Sequence, residues 1–116
     1  MLRVLVSMAV LGIVVAASPA GAADLAAAKK NFVMFCAKCH GAEGKGNGPE
    51  AGTLSTKPRD FTDCARMKTM TDDTLFTAIK EGGPAVNLSK DMQAWKDGME
   101  DSEIRDLVAY VRTFCP

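Results

Sequence analysis

The chain has 116 residues, with 14 Lys and Arg set against 14 Asp and Glu for a formal net charge of zero at pH 7. That balance excludes a nucleic-acid binder by charge. The length allows one domain, which on its own buries only a thin hydrophobic core.

Arg3 is the only charged side chain before Asp24, and between them an apolar run from Val4 to about Ala17 leads into Ser18-Pro19-Ala20-Gly21-Ala22-Ala23. A short positive region, an apolar stretch and a close of small residues make the pattern of a secretory signal peptide. The run is shorter than the ~20 residues of a spanning helix, so removal is expected over retention as an anchor. Residues 1–23 are therefore read as a cleaved signal peptide and 24–116 as the mature domain, placed in the periplasm.

The first predicted helix runs from Asp24 to about Lys38, with Leu25, Ala28, Phe32 and Phe35 recurring at a helical period. Asp24 lies at its start, where negative charge suits the helix dipole. The helix leads into Cys36-Ala37-Lys38-Cys39-His40. Two cysteines three apart, with a histidine directly after the second, form the attachment pattern for c-type haem. The two thiols add across the two vinyl groups along one porphyrin edge. The following imidazole then stands beneath the iron as its proximal ligand. His40 is the only histidine in the chain. A zinc site would need four ligands, and there is no second Cys-x-x-Cys pair. A thioredoxin-like dithiol would sit in a βαβ setting, and no strand pattern precedes Cys36. One covalent haem c is expected, attached at Cys36 and Cys39 and ligated by His40.

A glycine-rich loop from Gly41 to Pro49 follows. It follows no strand and fits neither the P-loop nor the dinucleotide spacing, so its glycines are read as letting the backbone turn tightly around the cofactor. A carbonyl at Pro49 or Pro58 is the candidate acceptor for the His40 Nδ1 proton, which would leave Nε2 for iron. Pro58 to Met70 reads as irregular. Thr71 is an N-cap for a helix to about Glu81, with Asp72 and Asp73 in its first turn and Gly82-Gly83 ending it. After a long loop to Gly98, the last helix runs from about Ser102 to Phe114, and Ile104, Leu107, Val108 and Val111 form one apolar stripe. No run of alternation predicts a sheet, so the fold class is all-α.

With one histidine, the sixth iron position falls to another residue type, and methionine's thioether is the natural choice. The methionines after the signal segment are Met34, Met67, Met70, Met92 and Met99. Met34 is too close to Cys36 to reach the opposite face, while Met67 and Met70 are placed to line the pocket. Met92 lies in the long loop, which can carry a sulfur across, and Trp95 three residues on is suited to shielding a haem face. Met92 is the distal candidate, ahead of Met99 or an iron left open. Cys64 and Cys115 remain as an even pair in an exported chain, the usual setting for a disulfide. Two separate thiols, or a link between two molecules through Cys115, are the alternatives.

Together these segments resemble the class I c-type cytochromes, particularly the small soluble bacterial members. The resemblance rests on Cys36-Ala37-Lys38-Cys39-His40 with Gly41-Ala42-Glu43-Gly44-Lys45-Gly46, on Ser89-Lys90-Asp91-Met92-Gln93-Ala94-Trp95, and on Glu103-Ile104 to Leu107-Val108-Ala109-Tyr110-Val111-Arg112. It implies three main helices with loops wrapped around one haem, and a crossing of the first and last helices at Ala28 and Phe32 against Leu107 and Tyr110. It also implies an axial role for Met92. The family usually carries proline after that methionine, where this chain has Gln93. The activity implied is one-electron outer-sphere transfer between redox protein donors and acceptors, membrane-bound complexes among them, by a monomer that is not an enzyme. Two other classes stay open: a five-coordinate haem protein that binds a gas or reduces peroxide, and an electron-feeding subunit of a dehydrogenase or oxidase complex. Five lysines against three acids from Asp24 to Lys57, and six acids against two bases from Asp91 to Asp106, give the chain a weak charge asymmetry, which an ordinary solvated surface also explains.

Overall fold

A computed structural model describes residues 12–14 and 21–116. The signal-peptide reading of 1–23 lies largely outside the described residues. Among the described residues every regular element is helical, and no helix is long and apolar enough to cross a membrane.

Helix α1 (Leu25–Asn31) starts where the Asp24 carboxylate accepts a hydrogen bond from the Ala27 N–H at 2.9 Å. That bond satisfies one of the free donors of the first turn. The sequence predicts an unbroken α-helix to about Lys38. The structure is helical to His40 but widens into a π-helical segment over Phe32–Cys36 before α2 (Ala37–His40). There the Ala37 N–H reaches back to the Phe32 carbonyl, one residue further than an α-helix allows. Phe32 stays in the core while Val33 and Met34 face solvent.

The sequence leaves Pro58 to Met70 irregular, yet α3 (Cys64–Met67) makes one turn within it, capped by Asp63 on the Arg66 N–H at 3.2 Å. A single turn is too short for periodicity to reveal. Helix α4 (Asp72–Glu81) has the predicted bounds, capped by the Thr71 hydroxyl on the Thr74 N–H at 3.1 Å and ended by Gly82 at φ 89°. Helix α5 (Asp101–Arg112) starts one residue before the predicted Ser102, because the Glu103 carboxylate turns back to accept from the Glu100 N–H at 2.9 Å.

The core forms where α1 meets α5, with α4 packed against α5. Ala28 and Phe32 bury on one side, and the stripe Ile104, Leu107, Val108 and Val111 buries on the other. Tyr110 meets Phe32 with ring centroids 5.2 Å apart, which is the crossing the resemblance implies. Each fully buried Leu, Ile or Phe contributes roughly 1.5–3 kcal/mol against an exposed one, so these few residues dominate a small core. Arg112 ties α5 to the chain beside it, donating to the Met67 carbonyl at 2.9 Å, to the Met70 carbonyl at 2.5 Å and to Asp72 at 2.8 Å. Cys64 at the start of α3 is bonded to Cys115 past the end of α5, with Cα atoms 5.5 Å apart.

Candidate functional site

A cavity of about 750 Å³ opens between α2, α4 and the loops that precede and follow α4. Each sequence-predicted haem residue lines it: Cys36 and Cys39, His40 and Met92. The continuous helical run over residues 25–40 delivers the first three, since spacings of three and four residues share one helical face.

His40 is fixed by its surroundings. Its Nδ1 lies 3.1 Å from the carbonyl oxygen of Arg59, and its ring stacks on Phe61 with centroids 4.4 Å apart. Burial holds the imidazole below its ordinary pKa, against the opposing pull of that carbonyl. The ring is therefore neutral at pH 7, with Nδ1–H donating to Arg59 and the Nε2 lone pair free. The sequence points to Pro49 or Pro58 as the acceptor. The structure corrects this by one residue: the loop after Pro58 presents the Arg59 carbonyl, not a proline's, to the ring. Phe61 is a site residue that sequence reasoning misses. Its N–H donates to the Gly44 carbonyl at 2.7 Å, and nothing in the linear pattern shows a loop folding back over the attachment segment.

Cys36 and Cys39 form no disulfide. Burial, together with the neighbouring Cys39, pushes the Cys36 thiol up to about 11, so it is held as the neutral thiol. The tight turn beyond His40 depends on Gly48, where a Cβ would lie 2.4 Å from the carbonyl oxygens of both Ala37 and Lys38. Only a glycine lets that backbone approach so closely.

Of the five candidate methionines, Met92 and Met70 line the cavity. Met67 and Met99 are buried in the core and Met34 is exposed. The Met92 carbonyl accepts from the Gly83 N–H at 2.9 Å. Trp95 also lines the cavity and packs on Phe35 at 5.4 Å. Asp91 reaches away to Ser55, whose hydroxyl and N–H both donate to its carboxylate. The Ser55 hydroxyl holds that carboxyl below its ordinary range.

The lining tests whether a haem fits. The thiols and the imidazole nitrogen lie on one helical run, a thioether lies on a loop across the sequence, and the remaining walls are largely apolar. At the Arg59 edge the guanidinium Nε is buried with no hydrogen-bond partner. Burial, with Arg66 beside it, lowers the Arg59 pKa, and Arg66 lines the same cavity. Two cations with an orphaned buried donor call for an anionic group, and the propionates of a haem are such groups. Among the described residues no cluster of three or more His, Cys, Asp and Glu converges as a metal-ion site.

Comparison with known proteins agrees with this chemistry. A family profile described as cytochrome c oxidase, cbb3-type, subunit III matches residues 23–111. Among solved structures, the chain is similar to the KustC0563 c-type cytochrome, with 28% identity and a TM-score of 0.61 over 75% of this chain and 95% of that one. It is also similar to a chain of the Kuenenia stuttgartiensis reducing HAO-like protein complex Kustc0457/Kustc0458, with 25% identity and a TM-score of 0.62 over 79% of this chain. It spans 44% of that second chain. No curated protein matches it.

Proposed function

Since the chain belongs to the cytochrome c oxidase, cbb3-type, subunit III family and is a small class I c-type cytochrome carrying haem c, we propose that it is a periplasmic electron carrier with iron held between His40 and Met92. One observation carries the ligation: Cys36, Cys39, His40 and Met92 line a single cavity, and the His40 ring already has its second nitrogen engaged by Arg59.

Haem c, when bound, supplies the one-electron couple. The chain's own residues do the rest. Cys36 and Cys39 anchor the porphyrin edge. The Arg59 carbonyl fixes the His40 tautomer and keeps its ligating nitrogen basic. Met92 offers a soft thioether that favours the reduced state and raises the potential. Arg59 and Arg66 receive the propionates, and Phe35, Leu75, Ile79 and Trp95 exclude water from the remaining walls. Fixed ligands and a dry pocket keep the reorganisation on electron transfer small, which suits a carrier. The bonded pair Cys64 and Cys115 and the signal-like start both suit an exported protein.

A second reading, an electron-feeding module within a larger assembly, is favoured by the likeness to a chain of a multi-protein complex of which this chain spans less than half. Co-purification of a stable complex, rather than a lone monomer, would select it.

The far-red absorption of the oxidised holoprotein tests the ligation. A weak sulfur-to-iron band is expected, and Met92→Ala should abolish it and admit carbon monoxide to the reduced protein. A high-spin wild-type spectrum without the band would instead mean an open sixth site, and a protein that binds gas or reduces peroxide.

A further inference from the structure

The methionine-bearing turn is held from two sides. On one side it rests on the end of α4. The Gly83 N–H donates to the Met92 carbonyl at 2.9 Å, and a Cβ on Gly83 would lie 2.0 Å from the Ser89 carbonyl and 3.2 Å from Met92 Cβ. The Leu88 N–H donates to the Gly83 carbonyl at 2.9 Å, and the Trp95 and Lys96 N–H groups donate to the Ile79 and Lys80 carbonyls at 3.0 and 3.2 Å, so all of these bonds tie the loop to the α4 side alone. Within the turn, the Met92 N–H donates to the Ser89 carbonyl at 3.2 Å and the Asp91 N–H to the Ser89 hydroxyl at 3.1 Å. These bonds shape the turn without attaching it to anything else.

The second attachment is Asp91 alone. Its carboxylate accepts from the Ser55 N–H at 2.9 Å and from the Ser55 hydroxyl, a partner 36 residues earlier in the chain. Leu54 and Thr56, which flank Ser55, line the same cavity as Asp91 and Met92. Among the described residues, Asp91 makes every side-chain hydrogen bond between the 51–57 segment and the 83–98 loop. No backbone hydrogen bond joins the two among the described residues.

We propose that Asp91 is a positioning residue for Met92, clasping the methionine-bearing turn to the Ser55 loop so that the thioether stays aimed into the cavity. The proposal rests on the reading of Met92 as distal ligand. With the clasp closed, the turn has two anchors and one orientation. With it open, the turn hangs from α4 and Met92 exchanges its place with added ligands. Two hydrogen bonds to an ionised carboxylate are among the stronger ones a protein makes, and here both reach an exposed loop whose other bonds are local.

Imidazole titration of the ferric holoprotein tests this, read beside the far-red band and the thermal midpoint. Asp91→Ala should bind imidazole at least tenfold more tightly than wild type and lose the far-red band on warming well before it unfolds. Ser55→Ala, at an exposed position, should show the same change in smaller measure, and it keeps the test open if Asp91→Ala folds poorly. Asp91→Asn retains an oxygen acceptor and should recover most of the wild-type behaviour. If Asp91→Ala and Ser55→Ala lower only the thermal midpoint and leave imidazole affinity and band unchanged, Asp91 merely supports the fold and the proposal fails while Met92 ligation stands. If wild type itself lacks the band, the Met92 reading falls and takes the clasp with it.

Discussion

Arg59 serves the site twice. Its carbonyl accepts a hydrogen bond from His40 Nδ1–H, and its Nε is buried without a hydrogen-bond partner. The next residue holds this segment in shape: the Asp60 carboxylate accepts from the Thr62 N–H at 2.8 Å and from the Thr62 hydroxyl at 2.6 Å. Those bonds, the hydroxyl first, lower the Asp60 pKa. A carboxyl that binds its proton less readily folded than unfolded stabilises the fold above the ordinary range near pH ~4, and that stabilisation disappears as pH falls through the lowered value. Asp60→Asn should therefore melt below wild type at pH 7, with the gap closing as the buffer is taken down through the acid range. Melting curves of the two proteins across pH check it. At this scale the attachment residues are legible in the sequence because covalent haem chemistry demands them at adjacent positions. The acceptor carbonyl is not, because it lies 19 residues away and is chosen by the path of a loop.

At the scale of elements, one side chain joins three of them. Arg112 at the end of α5 donates to the Met67 and Met70 carbonyls, at and beyond the end of α3, and pairs with Asp72 in the first turn of α4. A guanidinium fork reaches two carbonyls at once where an ammonium does not. Arg112→Ala should cost about 2–3 kcal/mol in denaturant unfolding, and Arg112→Lys should recover only part of it. The boundaries of α4 follow from the sequence because a capping threonine and a glycine mark them, and the apolar stripe places α5, which runs Asp101–Arg112 and stops short of the expected Phe114. The π-helical segment and the single turn of α3 do not, since an apolar period reports that a helix is present and not its local winding. The same period identifies Ala28, Phe32 and Leu107 as core, and they are buried.

For the whole molecule, the bond between Cys64 and Cys115 spans 51 residues and encloses α3, α4, α5 and the Met92 loop, while the attachment cysteines lie outside that ring. The sequence offers this pairing from the even count of leftover cysteines, and it cannot supply the chain path that brings the two ends together. Phe114, next to Cys115, stacks on Phe61 with ring centroids 6.2 Å apart, so the same end of the chain steadies the ring stacked on His40. Replacing both cysteines by serine, or reducing the bond, should lower unfolding free energy by ~4 kcal/mol on the chain-entropy account. Comparing oxidised and reduced holoprotein in a denaturant titration reads this directly, and an unchanged midpoint would show that the haem and core hold the ring closed without it. The fold class is legible at this scale because one motif and three helical patterns agree.

The widened turn over Phe32–Cys36 gives the chain slack just before the attachment segment. Each residue of a helix turns the chain by about 100°. The Ala37 N–H meets the Phe32 carbonyl in the place the residue before it would take in α winding, so the wide turn stores one residue. Deleting Val33 or Met34 would be absorbed by a return to α winding and leave Cys36, Cys39 and His40 facing the cavity, whereas the same deletion inside α1 would swing everything after it by roughly a quarter of a circle. A relative one residue shorter over the wide turn would run as plain α-helix and still present its thiols and imidazole to the cavity.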